Sequence, residues 1–280
     1  MSADPRPYSD DGDGEGKGEV EAEAQELTGG GTARVFRVGE TVRKPVMPWS
    51  PAVHRLLDHL ESQGFEGAPA AHGTDKQGRM ILTYLAGDVG NYPLPDAVRS
   101  DQALTTSARL LRRYHDATTD LAQHPGGDWQ FDALAPVEVI CHGDFAPYNC
   151  VFTGERAVGL IDFDAARPGP RAWDLAYALY RYAPLTHPDN HDGWGTTEQQ
   201  ARRARDFLDA YGCTRQERRT VMDMAAPRLQ SLADFMREGA SAGDENFRRH
   251  IEEGHLALYV RDIDYIRSHA EVWSRLVVGP

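Results

Sequence analysis

The chain has 280 residues, of which 40% are hydrophobic and 26% charged, and its formal net charge is −13 at pH 7. A chain of this length can bury one large core or two modest ones. The acidic balance argues against a nucleic-acid partner, because phosphate backbones attract clusters of Lys and Arg. The three cysteines, Cys141, Cys150 and Cys213, have no C-x-x-C spacing. They therefore predict neither a disulfide framework nor a zinc site.

No basic-then-apolar leader opens the sequence, and no run approaches the ~20 apolar residues that would span a bilayer. We therefore expect a cytoplasmic protein without a membrane partner. Residues 1–26 hold nine acidic residues against Arg6 and Lys17, with few apolar side chains. This composition predicts a disordered acidic tail, and the folded part is expected to begin at Leu27.

Residues 27–87 have the pattern of a small antiparallel sheet, which we expect to form an N-terminal lobe that ends in a hinge. Two strand-like runs flank three consecutive glycines, and a further strand is predicted over Thr41–Pro45. Gly30 and Gly31 in the glycine turn are candidates for a loop over nucleotide phosphates, although a plain hairpin turn fits them equally well.

A helix is predicted over Pro51–Gln63, with Ser50 as its cap and a proline as its first residue. Two more strands, at 69–73 and 79–85, would complete the sheet of the N-terminal lobe. The apolar residues of the helix recur on one side, so it is expected to pack against that sheet.

Residues 88–280 are predicted to form a second, mostly helical lobe. A long helical pattern at 96–122 directs His115 inward, where a hydrogen-bonded core histidine is expected. Thr197 and Gln200 fit a capping box at the start of a later helix. The helices towards the C-terminus are expected at 173–182, 196–211, 214–238 and 246–276, the last with a break.

Polar residues cluster at the ends of short apolar strands between residues 137 and 177. A strand over Val137–Cys141 leads into His142, and a second strand follows Asn149. A third apolar run ends at Asp162. Rigid scaffolds commonly present reactive side chains where strands end and loops begin, so this stretch is the candidate active site.

Asn149 and Asp162 are expected to lie at neighbouring strand ends, because the strands that adjoin them would form a hairpin. An amide oxygen and a carboxylate suit Mg²⁺, which takes a few protein oxygens plus water and nucleotide phosphates. Asp144 precedes Asn149 by the H-x-D-x-x-x-x-N spacing of kinase catalytic loops, in which the Asp accepts the proton of the substrate hydroxyl. We therefore expect Asp144 to act as base or to orient the hydroxyl, and the other two to act as metal ligands.

Three motifs, HGDFAPYN, LIDFD and WDLAY, occur in order. Together they resemble the pattern H-G-D-x-x-x-x-N, I-D-[FWY] and D-L-A of the aminoglycoside phosphotransferase/choline kinase-like family, relatives of the protein kinases. The stretches RKPVMPWSPAVHRLL and IDFDAARPGPRAWDLAYALYR are similar to a bacterial phosphotransferase subgroup, some members of which are labelled trifolitoxin immunity-like.

The resemblance implies an α+β, protein-kinase-like bilobal fold, with a small antiparallel-sheet N-terminal lobe and a mostly helical C-terminal lobe. It implies transfer of the γ-phosphoryl group of ATP, or GTP, to a hydroxyl of a small molecule, with Mg²⁺ as cofactor. The acceptor could be an aminoglycoside-like antibiotic or another amine-bearing, cationic metabolite. The sequence leaves the acceptor and the oligomeric state open.

The resemblance also gives roles to residues around the metal site. Asp174, on the helix after the third strand, would steady the catalytic loop, and His142 would bond to the loop backbone. Arg43 or Lys44 would pair with the α/β-phosphates. Strand alternation favours Arg43 if Val42 faces the core, whereas residue type favours Lys44, so both stay candidates.

The stretch ILTYLAG is similar to the inter-lobe hinge of the family, whose backbone binds the adenine edge. It would place Thr83, Tyr84 and Leu85 beside the nucleotide. The helix at 51–63 shows no Glu in its early turns, so the carboxylate partner of the phosphate-binding cation stays open.

Two other classes of function also stay open. A non-catalytic immunity protein could use the same scaffold to sequester a toxin or antibiotic, and a nucleotide hydrolysis assay would separate it from an enzyme. A metal-dependent phosphohydrolase would need more His and Asp ligands than residues 142–164 provide. Within this stretch, Asp164 could be a second metal contact or only a turn residue.

Overall fold

The computed structural model describes residues 24–27 and 34–279, which form a sheet-rich N-terminal lobe and a mostly helical C-terminal lobe. This α+β, bilobal architecture confirms the fold predicted from the motifs. The predicted acidic tail lies outside the described residues up to position 23. Gln25 and Glu26, which were assigned to that tail, belong instead to the first strand.

An antiparallel sheet forms the N-terminal lobe. Within the described residues its strands are β1 (Gln25–Leu27), β2 (Val35–Val38), β3 (Thr41–Pro45), β4 (Ala71–Thr74) and β5 (Arg79–Thr83). Their order across the sheet is β1-β2-β3-β5-β4. β3 therefore lies in the centre of the sheet, where it pairs with β5 from Thr41 opposite Thr83 to Pro45 opposite Arg79.

Helix α1 (Ser50–Ser62) follows β3 and places its apolar side against the lobe core. The buried residues recur at helical spacing, as Val53, Leu56, Leu57 and Leu60. The prediction that Ser50 caps this helix is wrong, because Trp49 already has helical dihedral angles and takes the cap position. The Ser50 hydroxyl instead accepts a 2.8 Å hydrogen bond from the Met47 amide.

A small sheet joins the hinge to the catalytic loop. In it β6 (Asp88–Val89) pairs with β8 (Cys150–Thr153), which pairs with β9 (Arg156–Leu160), all antiparallel. The β8–β9 pair is the hairpin expected from the sequence, whereas β6 was not predicted. Gly87 has φ +147°, and a Cβ there would lie 2.5 Å from the carbonyl oxygen of Phe152. Glycine therefore lets the hinge segment lie directly on β8.

A second strand pair holds the start of the catalytic loop. β7 (Val139–Cys141) pairs antiparallel with β10 (Arg167–Gly169). β7 is shorter than the strand predicted from residue 137, and Val137 is exposed. All three residues of β7 are buried, which fixes the position of the loop that follows it.

Helices make up most of the described C-terminal lobe. They are α2 (Asp96–Arg99), α3 (Asp101–Ala117), α4 (Thr119–Gln123), α5 (Arg171–Tyr182), α6 (Thr197–Tyr211), α7 (Arg215–Ser241), α8 (Glu245–Glu252) and α9 (His255–Val278). The core of the lobe forms where α3 and α5 pack among α6, α7 and α9. In the described ranges, no helix combines the length and the apolar composition needed to cross a bilayer.

Two details of the helix prediction are wrong for local reasons. The helix expected at 96–122 is divided into three, and its first break lies at extended Ser100, which caps α3 by accepting a hydrogen bond from the Ala103 amide. The capping box of α6 uses Thr196 and Gln199, one residue earlier than predicted. Gln200 is instead buried in the core. The predicted break in the last helix is confirmed between α8 and α9.

Candidate active site

A cavity of about 270 Å³ lies between the two lobes. Its upper wall is apolar and includes Val35, Val42, Met80 and Leu82. The hinge residues predicted to contact a nucleotide border it, as do polar residues of both lobes. The hinge residues are Thr83, Tyr84 and Leu85. The polar residues, at the opposite end, are Lys44, Asn149, Asp162 and Asp164. The cavity therefore has an apolar slot at the hinge and charged groups at the far end.

Two hinge amides are already bonded within the N-terminal lobe. The Thr83 amide donates to the carbonyl of Ala70 at 3.0 Å, and the Tyr84 amide donates to the carbonyl of Glu40 at 2.9 Å. A base bound at this hinge could take a hydrogen bond from either amide only by breaking one of these contacts. The backbone around Leu85 is then the part of the predicted hinge left for a base.

Lys44 is the cation that reaches the cavity. Its Nζ lies 2.5 Å from Oδ1 of Asp162 and 2.9 Å from Oδ1 of Asp164. Val42 lines the same cavity, so this face of β3 points into the cleft. These contacts also link the centre of the N-terminal sheet directly to the end of β9.

Arg43 points to the opposite face of β3. Its Nη1 donates to the Thr41 hydroxyl at 2.6 Å, and its Nε lies 3.6 Å from a carboxylate oxygen of Asp75. Val42 and Lys44 lie on one face of β3, as strand alternation predicts. That face meets the cleft, because Val42 belongs to the apolar wall of the cavity and not to a separate core. The structure thus places Lys44, and not Arg43, in the cavity.

Lys44 and Asp162, at this end of the cavity, stabilise each other's charged forms. Burial alone would raise the pKa of Asp162, but the Lys44 ammonium outweighs it and lowers that pKa. Burial would lower the pKa of Lys44, yet the two carboxylates raise it. Burial and the neighbouring Asp162 raise the pKa of Asp164. At neutral pH Lys44 is therefore protonated and Asp162 ionised, which is the state that phosphate and metal binding require.

The backbone of Asp162 is strained. Its φ is +62° and ψ +69°, and among the described residues it is the only one other than glycine with positive φ. For a residue with a Cβ this conformation costs about 1–2 kcal/mol. Phe163, next in the chain, is buried, with its ring centroid 4.9 Å from that of His142. Strain held by buried neighbours is typical of positions that serve a function.

Asp144 is held by hydrogen bonds to both of its carboxylate oxygens. Tyr148 donates its hydroxyl to Oδ1 at 2.8 Å, and Asn149 donates its side-chain amide to Oδ2 at 2.8 Å. A carboxylate can only accept, so the Asn149 nitrogen faces Asp144 and its amide oxygen is left for another partner. The Ile161 amide donates to the Asn149 carbonyl at 2.9 Å, which ties the loop to the residue before Asp162.

Asp174 anchors the catalytic loop from the first turn of α5. Its buried carboxylate accepts the backbone amides of His142 at 2.6 Å and Gly143 at 2.9 Å. It also contacts Nε2 of His115 at 3.0 Å, while Nδ1 of His115 lies 2.7 Å from the Tyr211 hydroxyl. This confirms that His115 is a hydrogen-bonded core histidine. The same contacts are those that a loop-steadying role for Asp174 requires.

The loop is also fixed at Gly143 and His142. Gly143 has φ +82°, and a Cβ there would lie 2.0 Å from the carbonyl oxygen of Ala165, so only glycine fits. Arg228 donates to the Gly143 carbonyl at 2.6 Å. The His142 ring, fully buried, bonds through Nε2 to the Ile161 carbonyl at 3.0 Å. His142 thus occupies a supporting position, as expected from the sequence.

The buried pair of His115 and Asp174 predicts a pH-dependent stability. Burial lowers the pKa of His115, so the folded protein keeps this ring neutral, whereas the unfolded chain protonates it near its ordinary value of about 6.5. Below that pH the unfolded state binds more protons, and the free energy of unfolding should fall by up to ~1.4 kcal/mol per pH unit. The free energy of unfolding, measured with urea between about pH 5 and 7, should therefore depend more steeply on pH in the wild type than in His115→Gln. Equal slopes would contradict the neutral, buried assignment.

The structure brings together most of the residues predicted to form the site. Those that converge at the cavity or on the loop beneath it are Lys44, His142, Asp144, Asn149, Asp162 and Asp174. Arg43 lies away from the cavity, and the positions of Gly30 and Gly31 are outside the described residues.

Sequence reasoning missed three residues of the site. Asp164 was left between a metal contact and a turn residue, and the structure places its carboxylate on Lys44. Tyr148, inside the HGDFAPYN motif, bonds to Asp144, but a tyrosine there carries no signal by itself. Arg228 arrives from α7, far along the chain, and only the folded structure shows its contact with the loop.

The donor set at the cavity suits a hard divalent cation. In the ranges 24–27 and 34–279, no group of three or more His, Cys, Asp or Glu side chains is arranged to hold a metal ion. The available ligands are the Asn149 amide oxygen and the carboxylate of Asp162. Two such oxygens fit a cation like Mg²⁺, which completes its shell with water and phosphate oxygens.

Comparisons with known proteins point to one family. The model of the phosphotransferase enzyme family (APH) matches residues 128–223, which include the catalytic loop and the end of β9. The trifolitoxin immunity protein of Rhizobium leguminosarum bv. trifolii is 34% identical over 229 residues, and the match covers 79% of this chain and 86% of that protein.

Solved structures share the fold at low sequence identity. An ethanolamine kinase of Plasmodium vivax superposes with a TM-score of 0.61 at 14% identity, over 91% of this chain and 84% of that one. An amicoumacin kinase in complex with AMP-PNP, Ca²⁺ and Ami gives a TM-score of 0.58 at 13% identity, over 82% and 88% of the two chains. The chain therefore belongs to the phosphotransferase enzyme family, the group of small-molecule kinases that its three motifs resemble.

Proposed function

We propose that this protein transfers the γ-phosphoryl group of ATP, or GTP, to a hydroxyl group of a small molecule. The observation that carries the proposal is the convergence of Lys44, Asn149 and Asp162 at one end of a cavity whose other end is the hinge. A nucleotide with its base at the hinge would direct its phosphates to these groups. Asp144 lies on the loop that also carries Asn149, beside the place where the terminal phosphate would end.

Asp144 would act as the base for the acceptor. A new bond forms between the acceptor oxygen and the γ-phosphorus, the bond from that phosphorus to the β–γ bridging oxygen breaks, and ADP leaves. The hydroxyl proton passes to the Asp144 carboxylate. Hydrogen bonds from Tyr148 and Asn149 hold both oxygens of this carboxylate in place, so the chain supplies mainly position and charge.

Metal and phosphate binding would be shared between the lobes. Asn149 and Asp162 would hold Mg²⁺, which when bound supplies positive charge next to the phosphates. Lys44 would leave its direct contact with Asp162 and pair with the α/β-phosphates, as the strand-borne lysine does in kinases. A cytoplasmic location would supply the nucleotide and would keep the three buried cysteines reduced.

A second candidate function is sequestration without turnover, as an immunity protein on this scaffold. The likeness to a protein named for trifolitoxin immunity supports it. The intact set of Asp144, Asn149 and Asp162 supports the enzyme instead, because a binding protein has no need for an activated base beside a metal site. Nucleotide-dependent modification of an acceptor separates the two functions.

Neighbouring residues of β3 give a matched test of nucleotide binding. Lys44→Met removes the cation in the cavity and should weaken ATP or GTP affinity roughly tenfold to a hundredfold, because charge-assisted hydrogen bonds contribute about 1.5–3 kcal/mol. Arg43→Met removes the same charge from the opposite face and should keep wild-type affinity. Calorimetry with and without Mg²⁺ measures both.

A screen of hydroxyl compounds for stimulated ADP or GDP release should then identify an acceptor. Absence of nucleotide binding by the wild type, or equal losses in Lys44→Met and Arg43→Met, would contradict the proposed function.

A further inference from the structure

A cluster of tyrosines surrounds the Arg181 guanidinium at the start of the acceptor side. We define the tyrosine cluster as Tyr92, Tyr148, Tyr177, Tyr180 and Tyr259. The guanidinium carbon lies 5.0–5.7 Å from the ring centroids of the first four. Nε of Arg181 donates to the Tyr177 hydroxyl at 3.1 Å, and Nη2 donates to the Tyr259 hydroxyl at 3.3 Å.

The cluster is connected to the proposed base. Tyr148 donates to Asp144 at 2.8 Å, and its hydroxyl lies 2.9 Å from that of Tyr177, which in turn accepts from Arg181. Tyr148 borders the nucleotide cavity, whereas the other members of the cluster do not line it. An alcohol must approach Asp144 from a side that the nucleotide leaves open. The tyrosine cluster forms the surface next to the base on such a side.

Arg181 has no carboxylate partner in the described part of the chain: no acidic oxygen lies within 4.0 Å of its guanidinium nitrogens. Two acids bond to members of the cluster: one is Asp144, which accepts from Tyr148, and the other is the fully buried Asp262. Its carboxylate already accepts hydrogen bonds from the Tyr180 hydroxyl and from the His187 amide. Arg181 as a residue is half-buried, so part of its surface is exposed.

A second unpaired guanidinium lies on the other side of Tyr177. The Arg228 side chain is 7% exposed and lies 4.3 Å from the Tyr177 ring centroid, against 5.3 Å for Arg181. In the ranges that the structure describes, no acid pairs with Arg228, and its buried Nε has no hydrogen-bond partner. Removing two positive charges from water without a carboxylate in direct contact is costly, so an anion that binds here would recover part of that cost.

The chemistry of the cluster selects against a positive group. A cage of tyrosine faces is a good site for an ammonium ion, but here the protein's own guanidinium already occupies it. A cationic acceptor would therefore meet like charge beside the base. A carboxylate, in contrast, could accept N–H groups of Arg181 while its carbon skeleton packs on the rings.

We propose that the acceptor of this enzyme is an alcohol that carries a carboxylate, and that the carboxylate binds Arg181. This inference rests on the proposed function, since it names the substrate class for the same site. It differs from the cationic acceptor that the sequence left open as one possibility. The sign of charge beside the base decides between them.

Two probes of similar size and opposite charge test the proposal. 3-Hydroxybenzoate and 3-hydroxybenzylamine share a ring and a hydroxyl group, and their binding to the full chain is measured by ligand-observed NMR, with and without AMP-PNP and Mg²⁺. We expect the carboxylate to bind the wild type roughly tenfold or more tightly than the amine. Arg181→Gln, which removes the charge but keeps an amide donor, should abolish this preference, and Arg181→Lys should retain part of it.

The matched control is Arg261→Gln, since Arg261 is an exposed arginine of α9 that pairs with Asp189. It should bind both probes as the wild type does. The proposal is overturned by tighter binding of the amine, by absence of carboxylate binding at millimolar concentration, or by an unchanged preference in Arg181→Gln. If Arg181→Gln does not fold, the wild-type preference and Arg181→Lys decide. Nucleotide binding is measured separately, so a wild type that binds nucleotide without charge preference loses only this inference.

Discussion

Asp144→Asn should lower kcat by about 10²–10⁴-fold while nucleotide affinity stays within a few fold of the wild type. Asparagine keeps the shape of the side chain and can still accept a hydrogen bond from Tyr148, but it cannot take the acceptor proton. In the proposed function, nucleotide affinity depends on Lys44 and Asp162, which lie outside the loop that carries Asp144. Initial rates of ADP release with an identified acceptor, together with calorimetry, measure the two effects.

The control for this variant is Asp96→Asn, an exposed aspartate at the start of α2. It loses one negative charge of the same kind far from the cavity, and its turnover should equal that of the wild type. If Asp144→Asn retains full turnover, Asp144 is not the base, and the reading of the HGDFAPYN motif must be abandoned.

Asp162→Asn should remove the metal dependence of nucleotide binding. The carboxylate is both a proposed metal ligand and the partner of Lys44, at 2.5 Å. Asparagine keeps one side-chain oxygen but no charge, so the proposed ligand pair would consist of two neutral amides, which hold a hard divalent cation far more weakly than a carboxylate does. Affinity for ATP or GTP in Mg²⁺ should fall to the value measured with EDTA.

Loss of metal binding in Asp162→Asn can be distinguished from unfolding of the variant. Asp162 has strained dihedral angles, and Asn tolerates the left-handed region about as well as Asp, so the exchange should not add backbone strain. A melting temperature close to that of the wild type would verify this. A variant that folds and still shows a full Mg²⁺ effect would show that the cation is held elsewhere.

Local pattern was sufficient for the centre of the site. The β8–β9 hairpin follows from two short apolar runs, and it brings the loop with Asn149 next to Asp162. The spacing of His142, Asp144 and Asn149 is a property of one loop, so the sequence could show it directly. The loop-facing role of Asp174 was expected from family likeness, and the structure adds the amides that it accepts.

Other features depended on contacts that no local pattern contains. The choice between Arg43 and Lys44 depended on which face of β3 meets the cleft, and that is a property of how the two lobes pack. The carboxylates that pair with Lys44 do not come from α1. They are Asp162 and Asp164 of the opposite lobe. The prediction of one long helix is wrong at Ser100, because a single side-chain cap there outweighs continuous helical periodicity.

The acceptor side was the least predictable part. Arg181 and Arg228 lie on different helices, and in sequence both look like ordinary surface arginines. Their tyrosine surroundings, and the absence of a carboxylate in direct contact among the described residues, are visible only in the fold. A net charge of −13 does not give the sign of charge at one site.

A crystal structure of the complex with AMP-PNP and Mg²⁺ tests the central assignment most directly. We predict a cation that touches the phosphates and the side-chain oxygens of Asn149 and Asp162, with the base at the hinge and Asp144 facing the γ-phosphate. A nucleotide bound outside the inter-lobe cavity, or a cation that contacts neither Asn149 nor Asp162, would contradict it.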